Sequence, residues 1–343
     1  MKKKVLAVIL AAALAAVFTT GCGNSSGSAG TEKTEEAAKE TEAVTEEAET
    51  VVEGTENALT AEAPVEQPAA TATTGETAAA AEQAVEEPPV ELQVFIAASL
   101  NTSMQEVAAK YNETHPNVSI VFNADSSGKL LTQIQEGYAC DVFFSAAQKQ
   151  MNQLEEDGLV VEGTRADVVN NQVVVIKRKD VQSAVTGLAD IGNASSIALA
   201  DGSVPVGRYT RTALMNLGIL PQAEDASVYT TAEVSDALGG VEISEQGNVS
   251  QVLTAVVEGS CEVGTTYLSD TYGYEDELDI LEKVGYDLTG NVIYPVCQVA
   301  NDEASPEEAA AAADFVSFIT SDDAKAIFDK YLFDTNLEPA EQK

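Results

Sequence analysis

Val94-Phe95-Ile96-Ala97-Ala98-Ser99-Leu100 is the stretch on which the reading of this chain turns. Its apolar run, closed by small residues and a serine, reads as a strand buried on both faces. The period then changes, with Leu100, Met104, Val107, Ala108 and Tyr111 at helical spacing. Residues 118–122 alternate as a second strand, and Ser126-Ser127-Gly128 opens a short helix carrying Leu130, Leu131 and Ile134 that stops near Gly137. Residues 140–145 form a third strand, and Met151 with Leu154 begins a helix that ends at Gly158. This β-α-β-α rhythm predicts an α/β fold with a largely parallel sheet. In such sheets ligands lie beyond the carboxyl ends of the strands, where helices begin.

The same punctuation recurs further along. A strand at 197–200 runs through Val204-Pro205-Val206-Gly207 into a helix with Tyr209, Ala213, Leu214 and Leu217. Gly247-Asn248 precedes Val249, Val252, Leu253, Val256 and Val257, an apolar face at i, i+3, i+4, i+7, i+8, and a strand at 263–267 follows. Each strand-to-helix turn is small, polar or glycine-bearing, and each should present free N–H groups at a helix N-terminus. Any one of them is an ordinary N-cap. Together, on two α/β halves, they predict converging helix ends.

Composition excludes several classes. A formal net charge of −38 argues against nucleic acid, since phosphate contacts need clustered Lys and Arg. With Cys22 set aside, Cys140, Cys261 and Cys297 remain; no metal-type spacing appears, and free thiols or a Cys261–Cys297 bridge both stay open. His115, the only histidine, lies in a loop with nothing like a nucleophile elbow nearby, so the chain is not expected to be an enzyme.

Lys2, Lys3 and Lys4 precede an apolar run at 5–18, too short for an ordinary transmembrane helix. Thr19-Thr20-Gly21-Cys22 resembles a bacterial lipoprotein cleavage site, with Thr19 where that pattern prefers Leu. The other reading is a signal peptide cleaved without lipid. Residues 1–22 are thus expected as a lipoprotein signal peptide, with Cys22 lipidated and the mature protein extracytoplasmic. Residues 23–91 hold 17 Glu and 2 Lys and no aromatic residue, and should be a disordered acidic linker. A flexible chain of that length spans on the order of 45 Å.

Nearly all of residues 92–335 carry a more specific resemblance. Val94-Phe-Ile-Ala-Ala-Ser-Leu100, Asp125-Ser-Ser-Gly128, Asp141-Val-Phe143 and Val204-Pro-Val-Gly207 match in order and spacing, as do Asn248-Val249, Gly264-Thr-Thr-Tyr267 and Tyr294-Pro-Val296. The set resembles the bacterial molybdate-binding proteins of ABC transporters. The resemblance implies a two-lobed, type II periplasmic-binding fold, each lobe a mostly parallel sheet flanked by helices, with two strands as hinge. Lobe 1 is expected at 92–172 and 297–343 and lobe 2 at 173–296. The resemblance also implies a monomer with no cofactor, molybdate or tungstate as ligand, and an ABC permease as partner.

Carried over by residue, the oxyanion would be held by the hydroxyl and amide of Ser99, those of Ser127, the amides of Val206 and Val249, and the hydroxyl of Tyr267. Asn248-Val249 keeps the family's spacing to Tyr267, whereas Thr231-Ala232-Glu233-Val234-Ser235 only looks locally similar, and residues 231–246 resemble an insertion. Several neutral donors, each contributing roughly 1.5–3 kcal/mol to an ionised ligand, should outweigh distant carboxylates screened over about 8 Å. Asp125 is expected to cap its helix, pointing outward. Pointing inward, it would favour hydrogen phosphate. Arg208 and Arg211 are read as solvated. Sulfate, ferric ion held by Tyr267, Tyr272 and Tyr274, and a structural or adhesive lipoprotein are the remaining alternatives.

Overall fold

The computed structural model describes residues 88–337. The expectations for the signal peptide, Cys22 and most of the linker lie outside these residues.

The first lobe begins with β1 (Val90–Ala97), α1 (Asn101–Asn112), β2 (Val118–Asp125), α2 (Ser127–Gln135), β3 (Val142–Phe144), α3 (Gln148–Glu156) and β4 (Ala166–Asn171). Gln172 leads into the second lobe. It comprises β5 (Val173–Arg178), β6 (Ser196–Ala200), α4 (Pro205–Asn216), α5 (Thr231–Ala237), β7 (Glu242–Gln246), α6 (Val249–Val257), β8 (Val263–Tyr267) and β9 (Leu278–Lys283). After α7 (Tyr286–Thr289), the chain returns as β10 (Val292–Gln298), and α8 (Pro306–Ile319) and α9 (Asp322–Lys330) close the first lobe.

The strand orders are β2-β1-β3-β10-β4 and β7-β6-β8-β5-β9. β1 runs parallel to β2 and β3, and β6 parallel to β7 and β8. In each sheet one strand opposes its neighbours: β10 in the first and β5 in the second. Each opposing strand is the one by which the chain arrives from the other lobe. The two lobes therefore share one topology, and the α/β expectation holds with that single reversal in each sheet.

Helices cover both faces of the first sheet, which is why Val94, Phe95 and Ile96 are all buried. On one face, Leu130, Leu131 and Ile134 of α2 and Met151 and Leu154 of α3 pack on Phe95, Phe143, Cys140 and Cys297. Burial of each such aliphatic side chain contributes about 1.5–3 kcal/mol. In the second lobe, Val252 and Val256 of α6 press on β8 at Gly264, where an added Cβ would lie 2.9 Å from Val256 and 3.0 Å from Val252.

Several sequence expectations meet the structure here. β1 starts at Val90, paired with Val118, so the ordered sheet begins before residue 92. Residues 292–296 belong to the first sheet, not to the second lobe: Tyr294 pairs with Val169 and Val296 with Phe144. The register shifts between Tyr294 and Pro295, where proline has no N–H to offer the ladder. Residues 231–246 are no appended insertion, because they form α5 and β7, the edge strand beside β6. For Cys261 and Cys297 the free-thiol reading holds: both are free and buried in separate hydrophobic clusters, so no bridge joins them. His115 lies in a loop as expected, but its partly exposed ring stacks on Tyr111 with 4.1 Å between ring centroids and sits 3.2 Å from Asp314.

Candidate functional site

Five strand ends and the helices that follow them meet between the lobes. Ser99 sits in a single 3-10 turn after β1, and Ser127 opens α2 after β2. From the other lobe come Val206 in the first turn of α4, Val249 at the start of α6, and Tyr267 at the end of β8. All five line one small, tight cavity of about 10 Å³, room for roughly one water. Val234 of the locally similar segment is instead buried in α5 and is not part of its wall.

Local sequence explains each helix start. Ser126 caps α2 by accepting from the Lys129 amide, and Asn248 caps α6 by accepting from Gln251 at 3.0 Å. Pro205 opens α4, where its missing N–H costs nothing. Gly207 lets that helix lie against the end of β6, since a Cβ there would come within 2.1 Å of the Asp201 carbonyl oxygen. Amides in these first turns have no intrahelical acceptor and face a ready anion position.

The hydroxyls are oriented as well. Ser127 Oγ, fully buried, accepts from the Ala146 amide at 2.9 Å, which leaves its proton to donate. Ser99 Oγ lies 2.8 Å from Tyr294 Oη, and Asn171 Nδ2 donates to the same Oη at 3.1 Å. Tyr267 is 1% exposed, and its Oη has no hydrogen-bond partner. Burial pushes its pKa well above the usual phenol value, so the group stays a neutral donor. An orphaned buried hydroxyl costs about 1–3 kcal/mol. Asp270 fixes the turn beyond it, accepting from the Tyr267 amide at 3.0 Å and the Thr266 hydroxyl at 2.8 Å.

Asp125 stands on the cavity wall, but donors surround its carboxylate. Its Oδ1 accepts from the Ser126 amide at 2.7 Å, Asn248 Nδ2 at 3.1 Å and Lys129 Nζ at 3.3 Å. It therefore bridges the lobes, a geometry that neither the inward nor the outward expectation described. Lys149 makes a second bridge, pairing with Asp225 of the other lobe.

Arg211 corrects the expectation of a solvated side chain: it is fully buried. Its guanidinium donates to the carbonyls of Ala200, Gly207 and Tyr229 at 2.7, 3.0 and 2.9 Å, tying β6, α4 and the chain before α5. Arg208 is half-buried over the Tyr209 ring, 5.2 Å from its centroid. The ferric alternative finds no cluster: Tyr272 and Tyr274 line an adjoining cavity that shares Ser99 but not Tyr267, and no group of His, Cys, Asp and Glu with metal-binding geometry occurs among the described residues. The roles of Asn171 and Tyr294, and the reach of Asn248 to Asp125, were not anticipated, because these partners are distant in sequence; Asn248 as a helix cap was legible.

Two compact lobes whose strand ends converge on a donor-lined cavity define a solute-binding protein of the two-lobed kind. The profile of bacterial extracellular solute-binding proteins matches residues 92–334, and the chain belongs to that family. YvgL of Bacillus subtilis, provisionally named an ABC transporter substrate-binding lipoprotein, is 29% identical over 248 residues, covering 72% of this chain and 87% of its own. The molybdate-binding protein ModA of Haemophilus influenzae is 28% identical over 249 residues, covering 70% of this chain and 88% of its own. A solved substrate-binding domain from Clostridium difficile, provisionally assigned to a molybdenum ABC transporter, is 31% identical with a TM-score of 0.53. It covers 73% of this chain and 100% of that one. The expectation that the chain is not an enzyme agrees with these relatives.

Proposed function

We propose that this chain captures molybdate or tungstate between its lobes and delivers it to an ABC importer, as an extracytoplasmic lipoprotein anchored through Cys22. The carrying observation is the Tyr267 hydroxyl, buried and unpartnered on the same cavity as Ser99, Ser127 and the first turns of α4 and α6. A tetrahedral oxyanion would accept from that hydroxyl, from both serines, and from the amides of Ser99, Ser127, Val206 and Val249. Every donor in this set is neutral, so the ligand brings its full charge to a site prepared for acceptors. The lipoprotein part of the reading is supported by the Thr19-Thr20-Gly21-Cys22 pattern and by the description of YvgL.

Titration calorimetry of the mature protein against molybdate, tungstate, sulfate and phosphate tests the ligand. Tight binding is expected for the first two and weak binding for the others. At a hundredfold excess over Kd, the bound ligand should add about 2.7 kcal/mol of stability. Binding of phosphate alone would move the reading to a protonated oxyanion, with Asp125 accepting its proton.

A further inference from the structure

Behind Ser99, away from the helix N-termini, a buried chain of side chains crosses both connections between the lobes. Asn171 is the last residue of β4, one position before the chain enters the second lobe, and it is 2% exposed. Its Oδ1 accepts from the Gln172 amide at 2.9 Å, which fixes the orientation of the amide group. Its Nδ2 therefore faces outward and donates to Ser269 Oγ at 2.8 Å and to Tyr294 Oη at 3.1 Å. Tyr294, fully buried on the returning strand β10, receives that bond and lies 2.8 Å from Ser99 Oγ.

Proton bookkeeping gives this chain a direction. Asn171 Nδ2 is a donor only, so the Tyr294 oxygen must accept from it, and the phenolic proton then points to Ser99 Oγ. Ser99 accepts that proton, and its own is left for the cavity. We infer that Tyr294, held by Asn171, is a positioning residue that fixes Ser99 as a hydrogen-bond donor to the bound oxyanion. The inference rests on the proposed oxyanion reading and adds residues that touch no ligand themselves. It also connects ligand contact to the hinge, because Asn171 and Tyr294 flank the two crossings and Ser269 lies two residues beyond Tyr267.

A double-mutant cycle separates this role from a merely structural one. Molybdate affinity is measured for the parent, Ser99→Ala, Tyr294→Phe and the double variant. Tyr294→Phe keeps the ring against Phe144, Tyr267 and Phe333. Alone, it should weaken molybdate binding about tenfold. In the Ser99→Ala background it should change affinity less than about twofold, because the serine through which it acts is gone. Additive losses would overturn the inference, since Tyr294 would then act through packing or on another donor. Asn171→Ala, taken through the same cycle, should show the same dependence on Ser99 and serves if Tyr294→Phe does not fold. A parent that binds none of the oxyanions would instead sink the proposed function, and this inference with it.

Discussion

Replacing Tyr267 by Phe should produce two effects of opposite character. The hydroxyl makes no hydrogen bond within the protein, and the ring sits 5.9 Å from that of Tyr294 in an edge arrangement that phenylalanine preserves. Removing the oxygen therefore deletes no internal bond and relieves a buried polar atom whose isolation costs about 1–3 kcal/mol. The ligand-free variant should melt no lower than the parent. At about 2–4 °C per kcal/mol for a domain of this size, it should melt several degrees higher if the closed form prevails without ligand. In the complex the same change deletes a charge-assisted donor worth roughly 1.5–3 kcal/mol, which is about one to two decades in Kd. Calorimetric titration with molybdate reads the second effect, and scanning calorimetry without ligand reads the first. Unchanged affinity would falsify the assignment of Tyr267 to the site. A lower melting temperature in the absence of ligand would mean that the hydroxyl holds the fold, and the reasoning from its isolation would fail.

Asp125→Ala should act on closure rather than on contact. It removes the acceptor that joins Asn248 across the cleft and an exposed ion pair with Lys129, the latter contributing little. Molybdate should dissociate several-fold faster with the association rate nearly unchanged, as stopped-flow measurement would show; an unaltered off-rate counts against the bridge. Cys22→Ala should release the full-length protein from the membrane fraction, because acyl chains are the proposed anchor, and retention of the variant in that fraction would contradict the lipoprotein reading.

The elements that sequence revealed are those whose apolar pattern is strong and local. The run through Phe95 and Ile96, the α6 face of Val249, Val252, Leu253 and Val256, and the serine and asparagine caps all stand out in a short window. Those same windows marked the strand-to-helix turns where ligands sit in such sheets, while the choice of the five candidate residues rested on the family resemblance. What escaped was weakly patterned or non-local. β7 reads Glu-Ile-Ser-Glu-Gln, one apolar residue on an edge strand, so nothing in its composition announced a place in the sheet. Arg211 looked like a solvated cation because three of its acceptors are main-chain carbonyls, which leave no trace in side-chain chemistry. The links Asn171–Tyr294 and Asp125–Asn248 each span more than 120 residues, and only the fold brings them together.

The reversed strand in each sheet has a consequence for how the chain acquires its structure. All five strands of the second sheet lie within residues 173–283, so that lobe can assemble from one contiguous stretch. The first cannot. Between β3 and β4 it lacks β10, and α8 and α9 come later still, so its central strands wait for the last part of the chain. Until residue 298 arrives, β3 has an open edge, able to pair with a neighbouring chain. A chain that folds as it is made, N-terminus first, thus completes its second lobe before its first, and N-terminal fragments ending before β10 should be prone to self-association rather than to independent folding.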